Sequence, residues 1–511
     1  MKSVKRILSC TLLALLLAQT ATACTSSPST NPSTTDPVTV TSPASNAAPE
    51  SSEDTAPTDS TAATEAPTEP VTEPDTDPVY DLVVAEPGTR RSSFRLVYDE
   101  GAESPLTAEV NMLRAMILSY TGADIRAQDA SKSSAKEIVL CAGSRPETAE
   151  MLAGLQEGEY AIRTKGASDG KSGQIFLAAT TYRSFYACAE YLLDNYYTPE
   201  NGLCVPTDLD VKGTEKEYTM ITTTINKLRD PCILVEDGVY YAYGTGWTCY
   251  KNTSGNLEGP WEKVGNVASV ADRSTDGGSH WAPEVHKYNG AYYMFTTYLN
   301  KATGHRGCTI MKSDSPEGPF VEITGGHITP ADWDAIDGTL YVDPDGQPWM
   351  VFVHEWTSMP NNVGSFAAAK LSEDFTHFIS EPMELFLANE PSWAVSGVTD
   401  GCWMYTTAEG DLLMVWSNFD AHGYTVAVAR SSNGRLDGEW IHEEKLLYSK
   451  YMTGTYDGGH GMIFTDTDGQ MYLSFHSPNT ATGDRKERPT FLAIREENGQ
   501  LVWDEPVPTE E

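Results

Sequence analysis

Five short segments of the chain share one pattern, in which a key residue is followed by Pro or Gly and then by apolar residues: "RDPCIL", "WAPEVH", "IDGTLY", "TDGCWM" and "GHGMIF". Their key residues are Asp230, Ala282, Asp337, Asp400 and His460. Three carboxylates held close together repel one another, so their pKa values separate into those of an ionised base and a protonated acid. If the segments meet in the fold, the pattern predicts general acid–base hydrolysis.

Asp-Gly and Asp-Pro are also ordinary turn sequences, and any one of these pairs alone is typical of a turn. Turn chemistry accounts for the Gly or Pro but not for acids that recur at one place in several segments. The key residues lie 7, 7, 8, 9 and 8 residues before a second turn residue. We therefore interpret Asp230, Asp337 and Asp400 as candidate catalytic carboxylates at equivalent positions.

The second turn residue of each segment precedes Gly and an alternating strand, which is typical of a β-hairpin. These residues are separated by 52, 56, 64 and 59 positions, and they are Asp237, Asn289, Asp345, Glu409 and Asp468. Units of this length with several short strands are typical of propeller blades. We predict an all-β five-bladed β-propeller over residues 226–511, with the key residues around its axis.

Residues 80–213 alternate strand and helix patterns, which predicts a compact α/β domain. The segments "EIVLCAGSRPET", "GEYAIRTKG" and "IFLAATTYRSFYACAEYLLDNYY" resemble the small α/β domain that precedes the catalytic domain in α-glucuronidase-type enzymes. The resemblance implies an accessory role, and these residues contain no catalytic constellation.

The first 24 residues have the pattern of an export signal, with Lys2, Lys5 and Arg6 before an apolar stretch. Small residues directly before Cys24 resemble a bacterial lipobox, which implies a cell-surface lipoprotein anchored through Cys24. The alternative is an ordinary secretory signal with an incidental cysteine. Residues 25–79 are rich in Ser, Thr, Pro and acids, a composition that predicts a disordered linker.

The formal net charge of the 511 residues is −37. Such an acidic surface argues against nucleic acid as a partner and suits an exported protein with a neutral ligand. Any membrane association is expected only through the N-terminal lipid. The seven cysteines after Cys24 have no paired spacing, so buried free thiols are favoured over a zinc site, with one or two disulfides as the alternative.

From about Asn226 to Trp503 the sequence resembles glycoside hydrolase family 43, five-bladed propellers that hydrolyse plant polysaccharides by inversion. The specific pieces are "LRDPCIL", "HWAPEVHKYNGAYYMF", "AIDGTLYVDPDGQPWMVF" and "GGHGMIFTDTDGQMYLSFH". The resemblance implies that Asp230 is the general base and that Asp337 orients the acid and tunes its pKa. It also implies an arabinofuranosidase, xylosidase or galactosidase type of activity on an oligo- or polysaccharide, with no required cofactor.

The position of the family's general acid, usually a Glu before Gly-Pro, is occupied here by Asp400, which is one methylene shorter. An inverting pair needs carboxyl groups about 6.5–9.5 Å apart, so the shorter side chain matters. Glu355 in "VFVHEWTS" is the alternative acid, since it follows a hairpin strand and could reach the pocket from its rim. It could equally be an exposed acid at a strand end. A further alternative is a non-catalytic cell-surface glycan-binding propeller.

His460 matches a histidine that the family places beside a calcium or other cation held mostly through water, although alone it is typical of a core histidine. Aromatic rings stack on sugar faces, so we expect Trp281 as a platform, with Trp247 and Trp356 as further candidates or as core residues. His280 and Arg488 are expected to donate hydrogen bonds to sugar hydroxyls, with Arg488 on the last axial strand.

Overall fold

The computed structural model describes six stretches of the chain: residues 82–99, 106–166, 171–420, 422–443, 445–480 and 486–506. The predicted signal peptide, Cys24 and the predicted linker lie outside the described residues. Within the described stretches, no helix has both the length and the apolar character needed to cross a membrane. The described cysteines, seven in number, are all free thiols, and five of them are buried.

Residues 82–214 form helices and two sheets. The elements are β1 (Leu82–Ala85), β2 (Arg91–Tyr98), α1 (Leu106–Thr121), β3 (Asp124–Asp129), β4 (Lys136–Leu140), α2 (Pro146–Ala153), β5 (Glu159–Gly166), β6 (Gly173–Ala179), α3 (Tyr182–Tyr196), β7 (Tyr197–Thr198), β8 (Gly202–Val205) and β9 (Asp210–Thr214). The larger sheet has the order β3-β2-β4-β6-β5-β9, and β1, β8 and β7 form the smaller one.

The helix α3 illustrates how the local sequence forms one element of this region. Thr181 caps its N-terminus by accepting the Ser184 amide, and the Ser184 hydroxyl in turn accepts the Thr181 amide. This capping box satisfies amides that the first helical turn leaves unpaired. The helix then buries Phe185, Ala189 and Leu192 on one face, against the sheet and α1.

From Met220 onward the described residues are mostly β. After β10 (Met220–Thr222) come five sheets in chain order. Sheet I is β11 (Cys232–Glu236), β12 (Val239–Gly244), β13 (Thr248–Asn252) and β14 (Glu262–Asn266); sheet II is β15 (Ala268–Ser269), β16 (Trp281–Tyr288), β17 (Ala291–Leu299), β18 (Arg306–Ser313) and β19 (Phe320–Glu322).

Sheet III is formed by β20 (Ala335–Val342), β21 (Pro348–His354), β22 (Ser365–Lys370) and β23 (Met383–Leu387), with a 3-10 turn at Pro360–Asn362. Sheet IV is formed by β24 (Asp400–Thr406), β25 (Leu412–Asp420), β26 (Gly423–Ser431) and β27 (Trp440–His442). After α4 (Lys450–Thr453) comes sheet V, formed by β28 (Gly459–Thr465), β29 (Met471–Ser477), β30 (Arg488–Glu497) and β31 (Gln500–Trp503). The strand β10 pairs with β30 and so joins sheet V, six residues before the predicted start of this region.

The five predicted hairpins are confirmed, since β11–β12, β16–β17, β20–β21, β24–β25 and β28–β29 are antiparallel neighbours. The first strand of each hairpin lies at an edge of its sheet. These edge strands contact one another in chain order, and β28 also contacts β11. The contacts therefore run around a closed ring, and the starts of the strands meet at one end of it.

Five hydrophobic clusters lie between neighbouring sheets, and each joins two of them. For example, Tyr243 of sheet I packs in one cluster with Met294 of sheet II, and Phe464 of sheet V packs in another with Tyr240 of sheet I. The clusters between sheets II and III, III and IV, and IV and V complete the series. Burial of apolar side chains between sheets thus fixes the ring that brings the key residues together.

Candidate active site

Four of the five key residues have a left-handed backbone conformation near the start of their strands. Positive φ angles of 53°, 38°, 56° and 58° occur at Asp230, Ala282, Asp337 and His460. Where sheet IV meets the ring, the residue with a positive φ, 45°, is Gly401. Left-handed backbone is uncommon for residues other than Gly, so its recurrence at the ring marks a constrained site.

The predicted equivalence of Asp400 with the other key residues is wrong by one position. In sheet IV, Asp400 pairs with Ser417 across the hairpin. In sheet V, the matching pair is formed with His476 by Gly459, which is the residue before His460. The bulge that follows contains one residue in sheet IV and two in sheet V. Asp400 therefore lies at the position before the left-handed residue. The sequence does not reveal this shift, because Asp400 is followed by Gly just as Asp337 is.

The backbone amide of the left-handed residue is held by a side chain from the preceding sheet. In four cases the acceptor lies near the end of the second strand of the hairpin in that sheet. These hydrogen bonds run from Ala282 to Thr245 Oγ1 (3.3 Å), from Asp337 to Thr297 Oγ1 (3.0 Å), from His460 to Ser417 Oγ (2.9 Å) and from Asp230 to His476 Nδ1 (3.3 Å).

The fifth amide has a different acceptor. The position in sheet III that corresponds to Thr297 is occupied by Val353, which has no side-chain acceptor and pairs with Ile336 just before Asp337. The Gly401 amide instead donates to Asp337 Oδ2 at 3.1 Å. A candidate catalytic carboxylate thus replaces the missing hydroxyl and ties sheet III directly to sheet IV.

The Asp230 carboxylate accepts a hydrogen bond from the Thr245 hydroxyl at Oδ2. Its Oδ1 lies 3.4 Å from His476 Nδ1 and 3.7 Å from His460 Nδ1. His476 is fully buried, and burial lowers its pKa to about 4 although the charge of Asp230 opposes the change. The neutral imidazole accepts the Asp230 amide at Nδ1 and therefore carries its proton on Nε2, which lies 3.3 Å from Asn479 Oδ1.

His460 lies at the centre of the three carboxylates. Its Nδ1 is 3.1 Å from Asp400 Oδ1, 3.7 Å from Asp230 Oδ1 and 3.8 Å from Asp337 Oδ2. Burial alone would lower the pKa of His460, but the charges of Asp230 and Asp337 and the contact with Asp400 raise it to about 10. The imidazole is thus positively charged at neutral pH and partly neutralises the cluster.

The pKa values of the two remaining carboxyl groups, Asp337 and Asp400, are shifted in opposite directions. Burial raises the pKa of Asp337 well above its usual range, and the charge of Asp400 adds to the rise. Burial acts the same way on Asp400, but hydrogen bonds from His460 and from the Tyr424 hydroxyl, 2.6 Å from Oδ2, more than offset it and lower its pKa. The surroundings therefore favour the protonated form of Asp337 and the ionised form of Asp400.

Glu355 is buried beside this ring, so the expectation of an exposed strand-end acid is wrong. Its backbone amide donates to the Asp334 carbonyl oxygen, and its Oε2 accepts Arg306 Nε at 2.7 Å. The Arg306 guanidinium lies over the Trp281 ring, 5.3 Å from the centroid. Burial raises the pKa of Glu355 despite the opposing contact with Arg306, and the charges of Asp334 and Asp400 add to the rise.

Comparison with known proteins assigns this region to a family. The family model described as glycosyl hydrolases family 43 matches residues 222–496, which is more than half of the chain. The chain belongs to glycosyl hydrolases family 43. Family 43 is a family of glycosidases, and the predicted family is confirmed.

Several family 43 relatives carry specific names. A probable arabinan endo-1,5-α-L-arabinosidase A of Aspergillus flavus is 24% identical over 255 residues, 49% of this chain and 74% of that protein. A probable arabinan endo-1,5-α-L-arabinosidase B of Aspergillus fumigatus is 28% identical over 147 residues, and the match spans 26% of this chain and only 39% of that relative. The crystal structure of an endo-arabinase from Bacteroides thetaiotaomicron is 33% identical, covers 56% of this chain and all of that chain, and has a TM-score of 0.48.

Family 43 resemblance also implied a cation beside His460. Asp337, Asp400 and His460 each offer an atom within 4.8 Å of the others. Calcium prefers six to eight oxygen ligands, however, and the His460 nitrogen here faces carboxylates as a hydrogen-bond donor. The side chains do not fit a directly bound calcium, and a cation held through water stays a prediction.

The predicted sugar-binding residues differ in accessibility. Trp247 is only 1% exposed, and its ring is stacked on His280 at 3.8 Å, which contradicts its role as a sugar platform. Trp281 and Trp356 are half-buried and stay candidate platforms. His280 is also half-buried, with its Nε2 2.8 Å from Asp276 Oδ1. Arg488 begins β30, which lies between β29 and β10, so its predicted place on an axial strand is wrong.

Sequence reasoning missed several residues that position the ring. Tyr424 reaches Asp400 from β26, His476 and Thr245 hold Asp230, and Arg306 holds Glu355. A signal for two of them exists, because Thr245 directly follows the second strand of its hairpin and His476 lies near the end of its own, as Thr297 does. Tyr424 and Arg306 have no such periodic signal, since they come from third strands and their contacts depend on side-chain reach.

Proposed function

We propose that the chain is an exported inverting glycosidase whose catalytic part is a five-bladed β-propeller formed by sheets I to V. The observation that carries the proposal is the cluster of Asp230, Asp337 and Asp400 around His460, in a chain of family 43. The ring of edge strands supports five blades. Several curated relatives are named as arabinan endo-1,5-α-L-arabinosidases, so we propose arabinose-containing plant glycans as the substrate class.

Asp230 is the proposed general base. Its carboxylate has a fixed hydrogen bond from Thr245, and its position is held by the neutral imidazole of His476. It takes a proton from a water molecule as the water oxygen forms a bond to the anomeric carbon. On the opposite face of the sugar, a protonated carboxyl gives its proton to the glycosidic oxygen as that bond breaks, which inverts the anomeric configuration.

The decisive experiment is a hydrolysis panel of 4-nitrophenyl α-L-arabinofuranoside, β-D-xyloside and β-D-galactoside together with arabinan. We expect turnover of the arabinose-containing substrates and, by NMR, a first-formed product of inverted configuration. Asp230→Asn should lower kcat by about 10²–10⁴-fold, because general base catalysis contributes that much. The proposal fails if the wild-type protein hydrolyses none of these substrates.

A matched control removes a carboxylate from the same fold at a distance from the ring. Asp343 directly follows β20, whereas Asp337 lies near the start of that strand. The Asp343 carboxylate accepts hydrogen bonds from Trp349 Nε1 at 3.0 Å and from the Gln347 amide. Asp343→Asn should keep activity within about twofold of wild type, since the change does not touch the ring. Loss of activity in both variants would indicate general damage to the propeller.

A second candidate function is glycan binding without hydrolysis. It is favoured by the placement of Asp400, which lies one position away from the residues that it was expected to match. Calorimetric titration with arabino-oligosaccharides separates the two functions. Binding by a wild-type protein that turns over no substrate would support the binding module.

The α/β region and the N-terminus complete the proposal. We propose an accessory role for residues 82–214, which contact the propeller through a stack of Tyr182 on Tyr451 and an ion pair between Glu190 and Lys445. We also propose a cell-surface lipoprotein anchored at Cys24. Mass spectrometry of the N-terminal peptide from a bacterial host should find a lipidated Cys24, and an unmodified cleaved terminus would contradict the anchor.

A further inference from the structure

Asp400 occupies the place of the proton donor, but its contacts are those of an acceptor. The Tyr424 hydroxyl donates to one oxygen at 2.6 Å. The other oxygen is 3.1 Å from His460 Nδ1, a nitrogen that also faces Asp230 and Asp337. A nitrogen surrounded by three carboxyl groups carries the hydrogen itself, so both Asp400 oxygens receive hydrogen bonds.

Glu355 differs from Asp400 in that the described residues donate to only one of its oxygens, Oε2, which accepts Arg306. Glu355 is 4% exposed and directly follows β21, the neighbour of the strand that carries Asp337. Arg306 binds its Oε2 and also lies over Trp281, the half-buried ring that is the candidate sugar platform. A sugar stacked near Trp281 would therefore lie beside the Glu355 carboxyl, which comes from outside the ring of left-handed residues.

We propose that Glu355, and not Asp400, gives the proton to the glycosidic oxygen. This inference rests on the proposed function. The Glu355 carboxylic acid loses its proton to the glycosidic oxygen as the bond from that oxygen to the anomeric carbon breaks. Asp230 receives a proton from the attacking water, and exchange with solvent returns one proton to Glu355 and removes one from Asp230, so that charge and atoms balance.

Asp400 has a positioning role in this arrangement. It stays ionised because Tyr424 and His460 donate to it, and its negative charge disfavours a second charge on Glu355. The groups that face Glu355 are Arg306 from β18, Asp334 from the segment before β20, and Asp400 from β24. Arg306 favours the carboxylate that forms after proton transfer, whereas burial and the two aspartates favour the acid before it.

The test compares substrates that need a proton on the leaving group with substrates that do not. A dinitrophenolate leaves without protonation, but the sugar hydroxyl released from an arabino-oligosaccharide does not. We expect Glu355→Gln to lower kcat/KM on arabinotriose by about 10²–10⁴-fold, and on 2,4-dinitrophenyl α-L-arabinofuranoside by less than about tenfold. Asp400→Asn should lower kcat/KM on both substrates by similar factors, because it disturbs the site without removing the donor.

The pH profile gives a second readout. A general acid must be protonated, so wild-type kcat/KM on arabinotriose falls as pH rises through the pKa of the donor. That basic limb should be absent in Glu355→Gln and retained in Asp400→Asn. The dinitrophenyl substrate also reports folding, since a Glu355→Gln protein that hydrolyses it has an intact base and sugar site.

The matched control is Glu443, a half-buried glutamate that, like Glu355, is paired with an arginine and has its pKa raised by burial. Its Oε1 lies 3.2 Å from Arg430 Nη2 in sheet IV, outside the ring. Glu443→Gln should change neither the ratio of the two rates nor the basic limb.

The proposal is overturned if Glu355→Gln affects both substrates equally, or if the leaving-group-selective loss appears in Asp400→Asn. In the second case the proton comes from the Asp337–Asp400 pair. Failure of the wild-type protein on every substrate would instead overturn the proposed function, so the two failures are distinguishable.

Discussion

Sheet IV differs from the other four sheets at the point where all five meet. In sheets I, II, III and V a residue with a side chain takes the left-handed conformation at the ring, whereas in sheet IV Gly401 does. The carboxylate of sheet IV comes from Asp400, one position earlier. A left-handed glycine needs no room for a side chain, and the freed space is occupied by the His460 imidazole.

The largest expected effect comes from filling that space. A Cβ at position 401 would lie 2.9 Å from His460 Cγ and 3.0 Å from its Nδ1, closer than such atoms approach. Gly401→Ala should therefore displace His460 from the three carboxylates and lower kcat by more than about 100-fold, with an overpacking cost of about 1–3 kcal/mol. Steady-state kinetics and thermal unfolding measure the two effects.

Gly410 is the matched control for Gly401. It also has a positive φ, 94°, and lies in the turn between β24 and β25, but no atom lies within 4 Å of the position that its Cβ would take. Gly410→Ala introduces backbone strain without a clash, so it should destabilise the protein and leave kcat unchanged. Equal losses of kcat in both variants would mean that strain, and not the contact with His460, controls activity.

The second prediction concerns the charge that Asp400 helps to keep on His460. The pKa of His460 is raised to about 10, so its stabilising contribution is complete below pH 6.5 and is lost as pH rises through 10. Between these values the folded state holds a proton that the unfolded state lacks, and the free energy of unfolding should fall by up to about 1.4 kcal/mol per pH unit.

Asp400→Asn removes one of the contacts that raise the pKa of His460, and so should change how stability depends on pH. Without the Asp400 charge the pKa of His460 should fall, so the loss of stability should begin at lower pH than in the wild-type protein. Thermal midpoints measured from pH 6 to 10 check the shift. Replacement of the exposed His377 by Gln serves as control and should leave the pH profile unchanged, and an unchanged profile in Asp400→Asn would contradict the charge assignment.

A smaller effect on stability is expected from removing the hydroxyls that accept the backbone amides of the left-handed residues. Thr297→Val keeps the shape of the side chain but leaves the buried Asp337 amide without its acceptor. Loss of a buried hydrogen-bond partner costs about 1–3 kcal/mol. Urea unfolding should detect this loss, and Ser417→Ala should act likewise on the His460 amide. Full stability in both variants would mean that the amides have other partners.

The hairpins and the family could be predicted because Gly-containing turns and alternating strands are local patterns. The ring residues Asp230, Asp337 and His460 could be found for the same reason, since each precedes Pro or Gly at a strand start. The shift at Asp400 could not, because a bulge of one residue or two is decided by packing across the ring. The burial of Trp247 and Glu355 and the reach of Tyr424 likewise depend on neighbouring sheets that no local pattern specifies.

The smallest effect should follow from giving sheet III the acceptor that the other sheets have. Val353 occupies the position of Thr297, and the Gly401 amide donates to Asp337 in its place. Val353→Thr offers this amide a hydroxyl and releases Asp337 Oδ2 from the bond. Since a hydrogen bond from an amide favours the charged carboxylate, its loss should raise the pKa of Asp337 further. Stability should change by less than about 1 kcal/mol, while the pH profile of kcat shifts upward.

The control for this prediction is Val351→Thr, which changes the same strand two residues away from Val353. This variant should leave the pH profile in place. A shift of the profile in both variants would mean that the pKa of Asp337 does not depend on the missing acceptor.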